Sequence, residues 1–398
     1  MKKCLDGLKV LELSQYISAP YAGQTLADFG AEVYKIETPG EGKGDVARKY
    51  DPYYNDMSLY FASYNRNKQF ITLDLKQPEG KQLFLDMIKN FDVMIHNFRP
   101  GAMDRMGLGY EALKAVHPGL IVAAVSGYGQ TGPYAHLSAL DMTVQAQSGF
   151  MDITGDPDGP PTKAGPALVD FIGGMNLTIG ILLALQYKQR TGVGQFVDTA
   201  LFDSMIVLHE NFPSIYRTEG RAPKRSGNGR PFSAPVGTYK TKDGRWIQIS
   251  ATADGHFKKV MAIIGKPELI DLPGMESSAL RKLQEKTLDD PIVEWVANTH
   301  SDDVANALNA EKVPFGFVLT AEEVYNDPRL EMREMLICPE ENVLGDVPVI
   351  GNPVKLSETP AVYTRSAVER GADNDSAYET LLGLSPERLR ELREKGVI

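Results

Sequence analysis

The sequence predicts an α/β fold, with a large domain built on a parallel β-sheet and a smaller α+β domain. Three observations support this prediction. In the first third of the chain, short runs of branched apolar residues alternate with longer helical patterns, which is typical of parallel strands joined by crossover helices. Near residue 235 the alternation gives way to two strands around one turn. A chain of 398 residues, 42% of them hydrophobic, is long enough to form two cores.

The first predicted βαβ unit spans residues 8–37. Residues 8–13 are predicted to form a strand, residues 20–29 a helix with Pro20 in its first turn, and residues 31–37 a second strand. The alternation continues with strands at 70–75, 93–96 and 120–126 and with helices at 78–90 and from a turn at 99–101 through 115. Ligands are expected at the carboxyl ends of these strands, as in a Rossmann-like sheet.

The centre of the chain, residues 165–175, carries one carboxylate in an apolar and glycine-rich stretch. The run at 175–190 predicts a buried helix, which puts Asp170 just before the helix start. Two interpretations remain open. Asp170 caps the helix by accepting backbone N–H bonds, or its dry surroundings prepare the carboxylate as a nucleophile. In the second case Gly173 and Gly174 leave room for a bulky substrate.

The remainder of the chain predicts the smaller domain and a return to the large one. A turn is expected at 191–195, strands at 235–250 around the turn 241–244 and at 347–356, helices through 309 and a closing helix at 377–395. The predicted domains are 1–215 (large domain), 216–232 (linker), 233–330 (small domain) and 331–398 (return linker and last part of the large domain). Lys224, Arg225 and Arg230 predict either a solvated loop or a flap that meets a carboxylate substrate.

Composition and charge argue against several classes of function. The formal net charge of −10, without a long basic stripe, argues against nucleic-acid binding. The two cysteines lie far apart and suit a reducing compartment, so we expect a cytoplasmic protein. The longest apolar run, around 177–187, is shorter than the roughly 20 residues of a membrane span, so no membrane association is expected. The six histidines are scattered and predict no metal site.

Residues 127–132 match the glycine pattern G-x-G-x-x-G and follow a predicted strand. A nicotinamide dehydrogenase is therefore one candidate function. The match has little weight, because no long amphipathic helix follows it and the first βαβ unit lacks the glycine triplet.

Short motifs are distributed over nearly the whole chain. They are residues 5–12, 30–37, 67–68 with 73–74, 97–101, 127–134, 165–175, 191–195 with Asp198, 243–244 before Trp246, 326–330 and 382–385. Each motif alone is weak, but together they closely resemble the class III coenzyme A transferases, the family of formyl-CoA and crotonobetainyl-CoA:carnitine transferases.

The resemblance implies both a fold and an activity. The fold is a large α/β domain made from both ends of the chain and a smaller middle domain, with two subunits threaded through each other as interlocked rings in a homodimer. The activity moves coenzyme A from an acyl-CoA donor to a carboxylic acid acceptor. The CoA thioester is then a substrate, no permanently bound cofactor is expected, and succinyl-CoA and acetyl-CoA are reasonable donors.

The resemblance also implies roles for single residues. Asp170 matches the family's nucleophilic aspartate, which forms first a mixed anhydride with the acyl group and then a thioester with CoA. The residues that the resemblance implies for CoA binding are Leu73, Asn97, Phe98 and Arg105, with Gln15 in the segment that lines the reacting centre.

Two rival functions involve acyl-CoA. A 2-methylacyl-CoA racemase resembles this chain in its strands but requires a histidine at the position of Leu140, before Asp141. Racemisation needs a base and an acid on opposite faces of the substrate, so the missing histidine favours transfer. The other rival is a protein that binds acyl-CoA without turning it over.

Overall fold

The computed structural model describes residues 3–398, which divide into two compact units. The first unit contains the chain up to Ser148, Gly165–Leu208 and Pro328–Ile398. The second unit contains Gly149–Ala164 and His209–Asp327. The first unit is thus assembled from three separate segments, and residues near both ends of the chain share it.

The strands in the first half of the chain follow the predicted alternation. In chain order the strands are β1 (Lys9–Leu13), β2 (Glu32–Glu37), β3 (Tyr53–Tyr54), β4 (Met57–Ser58), β5 (Lys68–Thr72), β6 (Val93–His96), β7 (Ile121–Ser126), β8 (Phe196–Ala200), β9 (Val236–Lys240), β10 (Trp246–Ser250), β11 (Phe315–Phe317), β12 (Leu336–Ile337) and β13 (Val349–Ile350).

The helices fall between and after these strands. They are α1 (Ser18–Asp28), α2 (Leu59–Ala62), α3 (Pro78–Met87), α4 (Ala102–Arg105), α5 (Tyr110–Val116), α6 (Asp141–Gln147), α7 (Leu168–Thr191), α8 (Leu201–Ile206), α9 (Phe212–Glu219), α10 (Asp254–Ile263), α11 (Ser278–Leu283), α12 (Glu285–Asn298), α13 (Ser301–Ala310), α14 (Ala321–Tyr325), α15 (Pro328–Met332), α16 (Asn374–Leu382) and α17 (Pro386–Glu394). Short 3₁₀ turns lie at Val46–Lys49, Ile88–Asn90, Val207–His209 and Pro267–Asp271.

Six strands of the first unit form one parallel sheet in the order β5-β2-β1-β6-β7-β8, which confirms the predicted α/β fold. Val10 of β1 lies opposite Val33 of β2, and Leu11 lies opposite Met94 of β6. The strand order reverses between β1 and β6, because β2 and β5 lie on one side and β6 to β8 on the other. Ligands of open α/β sheets bind at the carboxyl ends of the strands at such a reversal.

The core of the first unit joins early and late parts of the chain. Leu11 and Met94 of the sheet, Phe84 of α3 and Tyr378 of α16 belong to one buried cluster. The Tyr378 hydroxyl donates a hydrogen bond to the carbonyl oxygen of Thr72 over 2.7 Å. Helix α16, near the C-terminus, therefore packs on β5, a strand near the start of the chain.

The second unit is an α+β structure, as the sequence predicts. Its antiparallel sheet has the order β11-β10-β9. Phe257 of α10, Leu288 of α12 and Val304 of α13 pack with Ile247 and Ile249 of β10 in one core.

Helix α7 is longer than the predicted apolar run. With 24 residues, it is the one helix in the described part of the chain that is long and apolar enough to cross a membrane. Helices α1 and α8 and strands β7 and β8 pack against one side of it.

Three further predicted elements are wrong in extent. The strand at 347–356 is reduced to β13, because Gly351 and Pro353 follow it. The helix at 377–395 is two helices, since Gly383 ends α16 with a φ of 65° and Ser385 caps α17 by accepting an N–H bond. The helix expected from 99–101 through 115 is divided into α4 and α5, with Gly107 between them at a φ of 74°.

Candidate active site

Two predicted site residues meet where the strand order reverses. Gln15 follows β1 and Asn97 follows β6, so they lie at neighbouring carboxyl ends of the sheet. The Gln15 N–H donates to the Asn97 side-chain oxygen over 3.0 Å, and the Asn97 side-chain amide donates to the Gln15 carbonyl oxygen over 2.6 Å. Asn97 therefore fixes the backbone of Gln15 at the edge where such sheets bind ligands.

A buried charge cluster of Glu12, Lys35 and Asp45 holds the next residue, Tyr16. Tyr16 has a φ of 66°, in the left-handed region, and its N–H donates to an Asp45 carboxylate oxygen over 3.2 Å. The Lys35 ammonium lies 2.9 Å from Asp45 and 3.1 Å from Glu12. All three side chains are buried, so removal of one partner is expected to cost about 3–5 kcal/mol. The cluster thus fixes the backbone directly after Gln15, whereas Asn97 fixes the backbone of Gln15 itself.

Asp170 is the third residue of α7, which begins at Leu168. The prediction that this helix begins at residue 175 is therefore wrong by about two turns. One carboxylate oxygen of Asp141 accepts the N–H of Val169 over 2.7 Å and the N–H of Asp170 over 3.3 Å. A carboxylate from a different segment thus caps the helix start, which is the structural role that Asp170 itself was considered for.

The surroundings of Asp170 disfavour its charged form. Burial, with a second contribution from the Asp141 carboxylate, raises the pKa of Asp170 to about 7. The ring of Phe171 contacts Tyr21 and Tyr64, with centroids 5.4 and 5.7 Å away. Burial and then the Asp170 carboxylate raise the pKa of Tyr64. A carboxylate that ionises near neutral pH is a stronger nucleophile than an ordinary aspartate.

Gly173 and Gly174 face the protein interior. A Cβ on Gly174 would lie 2.5 Å from the carbonyl oxygen of Ser18 in α1, and a Cβ on Gly173 would overlap Leu201 of α8. The expectation that these glycines leave room for a substrate is wrong, because they permit close packing of α7. The contact with Ser18 also brings the start of α1, three residues after Gln15, against the second turn of α7.

The other residues predicted to contact CoA differ in how deeply they are buried. Leu73 follows β5, and its side chain is 1% exposed within the core. Phe98 packs against the same core, with its ring centroid 6.0 Å from that of His96. Arg105 is exposed at the end of α4. The contacts of these residues with CoA stay predictions.

The glycine pattern at 127–132 lies in a loop after β7, and the next helix, α6, begins only at Asp141. A Rossmann site requires a helix N-terminus directly after the glycine pattern, where it holds the pyrophosphate. The position of α6 does not meet this requirement.

Leu140, at the position of the racemase histidine, is an exposed apolar residue. Within residues 3–398, no group of three His, Cys, Asp or Glu side chains is placed to hold a metal ion.

The basic residues of the predicted loop lie in the second unit. The Arg225 guanidinium donates to the Asp152 carbonyl oxygen over 3.0 Å, and Arg230 pairs with Glu210 over 2.8 Å. Two of the three positive charges are thus engaged by neighbours within the unit, and a role for them toward a substrate stays a prediction.

Comparison with known proteins decides between the candidate functions. The profile of the family described as CoA-transferase family III matches residues 5–374. The chain belongs to CoA-transferase family III. The succinyl-CoA–D-citramalate CoA-transferase of Chloroflexus aurantiacus is 37% identical over 395 residues, which cover 99% of this chain and 98% of that protein. The acetyl-CoA:oxalate CoA-transferase of Acetobacter aceti is 39% identical over 362 residues, covering 88% and 89% of the two chains.

Solved structures agree with this assignment. A crystal structure of a CAIB/BAIF family protein from Brucella suis matches with a TM-score of 0.82 and 34% identity, covering 96% of this chain and 100% of that chain. The predicted family and fold are therefore confirmed. As a member of CoA-transferase family III, the protein is an enzyme that transfers CoA from an acyl-CoA to an acid. The racemase alternative is not favoured.

Sequence reasoning missed the residues that support the site, namely Asp141, Glu12, Lys35 and Asp45. A signal existed for two of them. Glu12 lies between Leu11 and Leu13, and Lys35 lies between Tyr34 and Ile36. A charge among apolar strand residues is rarely buried without a partner. Asp141 and Val169 are 28 positions apart in the chain, so no local pattern marks their contact.

Proposed function

We propose that Asp170 carries out CoA transfer as a covalent nucleophile. Its carboxylate attacks the thioester carbonyl of the donor, the C–S bond breaks, and CoA leaves as a thiolate, which gives a mixed anhydride. The thiolate attacks the aspartyl carbonyl, and the donor acid leaves with one former oxygen of Asp170. The acceptor carboxylate then attacks the aspartyl-CoA thioester, and the same steps in reverse release a new acyl-CoA and free Asp170.

The environment of Asp170 carries this proposal. A carboxylate with a pKa of about 7 is more nucleophilic than an ordinary aspartate and is still about half ionised at neutral pH. The preceding residue, Val169, is fully buried, and Phe171 lies against two tyrosine rings. Apolar neighbours of this kind exclude water, which would otherwise hydrolyse the anhydride and the thioester.

We expect CoA to bind along the carboxyl edge of the parallel sheet. Gln15 and Asn97 lie at the strand-order reversal, and the helix that carries Asp170 packs beside the start of α1. Succinyl-CoA and acetyl-CoA are the donors to test first, because the two curated relatives described above are named for them.

The active form proposed is a homodimer. Helix α7 exposes an apolar stripe of Met175, Ile179, Leu182 and Leu183, of which Leu183 is 66% exposed. Met175, Ile179 and Leu182 also line an apolar groove of about 470 Å³ in the first unit. Contiguous apolar surface supports burial against another chain, and the family resemblance implies that this chain is a second copy.

Mass spectrometry after hydroxylamine trapping tests the covalent mechanism. The wild-type enzyme is incubated with succinyl-CoA or acetyl-CoA, and a hydroxamate or CoA adduct is expected on the Asp170 peptide alone. The Asp198 peptide is an internal control, because burial raises the pKa of that carboxyl as well. Asp170→Ala should give no adduct and no transfer. Transfer by Asp170→Ala at the wild-type rate would contradict the proposal.

A further inference from the structure

The carboxylate of Asp141, the first residue of α6, is fixed at both of its oxygens. One oxygen accepts the N–H of Val169 over 2.7 Å and the N–H of Asp170 over 3.3 Å. The other oxygen accepts the side-chain amide of Gln145 over 2.6 Å, and Gln145 is fully buried. A rigid connection therefore runs from α6 to the backbone that carries Asp170.

Asp141 is the charged neighbour that acts on the Asp170 carboxyl. The titratable side chains on the other elements around the start of α7 are Tyr21 of α1, Tyr60 of α2, Tyr64, Asp198 of β8 and Asp203 of α8. Burial raises the pKa of all three tyrosines, so they stay neutral near pH 7. Asp203 acts on Asp198, whose pKa it raises in addition to burial.

We propose that Asp141 is a positioning residue for Asp170 and that its charge promotes acylation of Asp170. This inference rests on the covalent mechanism proposed above. As a cap, the Asp141 carboxylate fixes the first turn of α7 and hence the direction of the Asp170 side chain.

The charge of Asp141 acts differently on the free and the acylated enzyme. Free Asp170 is an anion beside a second anion, whereas Asp170 in the anhydride or the thioester carries no charge. Formation of either intermediate therefore removes a like-charge repulsion. Asp141 thus raises the free energy of the unreacted carboxylate relative to the acylated state, and it makes that carboxylate more basic and more nucleophilic.

Two substitutions separate the charge from the cap. Asp141→Asn removes the charge but keeps an oxygen that can accept the N–H bonds of α7, whereas Asp141→Ala removes both. Asp243→Asn is the matched control, because Asp243 accepts the N–H of Ser301 over 2.9 Å and its hydroxyl over 2.7 Å at the start of α13. That helix belongs to the second unit and carries no residue of the candidate site.

The readout is the single-turnover rate of hydroxamate formation on Asp170, measured between about pH 5 and pH 9. Asp141→Asn should shift the acidic limb of this profile to lower pH by about one unit. It should also lower the plateau rate, because the ionised Asp170 is then less basic and less nucleophilic. Asp141→Ala should show the same shift and a plateau rate lower by a further factor of about ten or more, because Asp170 is then poorly oriented. Asp243→Asn should match the wild type.

A profile of Asp141→Asn that superimposes on the wild-type profile would overturn the role of Asp141 while leaving the covalent mechanism intact. Absence of any Asp170 adduct in the wild-type enzyme would overturn the covalent mechanism, and the inference with it. Circular dichroism of each variant confirms that a folded enzyme is compared, and Asp141→Asn remains decisive if Asp141→Ala does not fold.

Discussion

At the scale of single residues, reactivity is concentrated in one aspartate whose charge is disfavoured where it lies. Burial and the Asp141 carboxylate raise the pKa of Asp170 to about 7. The ionised form is the nucleophile, so protonation below this pKa removes the reactive species. Acid pH should therefore inactivate the enzyme several pH units earlier than it would with an ordinary aspartate.

The raised pKa of Asp170 predicts the pH dependence of kcat/KM for the acyl-CoA donor. The value should be constant above about pH 7 and should fall by about tenfold per unit below it. Acetyl-CoA is the better donor for the measurement, because its acyl group has no carboxyl of its own to titrate. A value that stays constant down to about pH 5 would show that Asp170 ionises as an ordinary aspartate does.

The sequence identifies Asp170 but not the residues that fix the backbone around the candidate site. A single carboxylate in an apolar, glycine-rich stretch is visible along the chain, and the family resemblance names it as the nucleophile. The contacts of Asp141 with α7 and of Asp45 with Tyr16 join segments distant in the chain, and only the folded structure brings them together. The hydrogen bonds of the Asn97 side chain with the backbone of Gln15 are likewise visible only in the folded structure, and the contact of Asn97 with CoA stays a prediction.

At the scale of elements, α7 depends on close packing against α1. A Cβ at residue 174 would lie 2.5 Å from a backbone oxygen of α1, which cannot move as a flexible side chain could. Gly174→Ala should therefore lower the free energy of unfolding by about 1–3 kcal/mol and reduce activity, since this contact places α1 beside the turn that follows Asp170.

Urea unfolding measures the free energy of unfolding of Gly174→Ala, with Gly255→Ala as the control variant. Gly255 is also helical, in α10, and a Cβ there meets no atom within 4 Å. This control should be unchanged or more stable by about 0.5–1 kcal/mol. Equal stability of the two variants would mean that the close approach of α7 to α1 is not required.

Sequence patterns alone do not predict where some of the helices begin and end. Periodicity predicts one closing helix, but Gly383 and Ser385 provide an end and a new start, so two helices form. The opposite error occurs at α7, which is predicted to begin at residue 175 and instead begins at Leu168 and continues through Gly173 and Gly174. In both cases the local residues permit either outcome, and tertiary packing or capping decides it.

At the scale of the whole molecule, the α/β sheet and the α+β unit follow from the sequence pattern, because alternating strands and helices determine the layers. A homodimer is implied by the family resemblance and not by any pattern of residues. A dimer that buries the exposed apolar stripe of α7 should be destabilised when a charge is placed in that stripe.

Leu183→Glu should prevent assembly of the dimer of twice 43.8 kDa, and sedimentation velocity measures the loss of that species. Leu283→Glu is the control, because Leu283 is also an exposed helical leucine, at 79%, but lies on α11 in the second unit. A wild-type protein that sediments as a monomer at micromolar concentration would contradict the dimer. Equal dissociation by both substitutions would show that the α7 stripe is not specifically involved.

The most direct test of the covalent mechanism follows oxygen atoms. An acceptor acid whose carboxylate is labelled with oxygen-18 attacks the aspartyl-CoA thioester, and one labelled oxygen remains on Asp170 when the new acyl-CoA leaves. After turnover, mass spectrometry of the Asp170 peptide should therefore show incorporation of oxygen-18, and the Asp198 peptide should show none. An unlabelled Asp170 peptide after many turnovers would contradict the mechanism, because CoA would then have passed between the acids without a bond to Asp170.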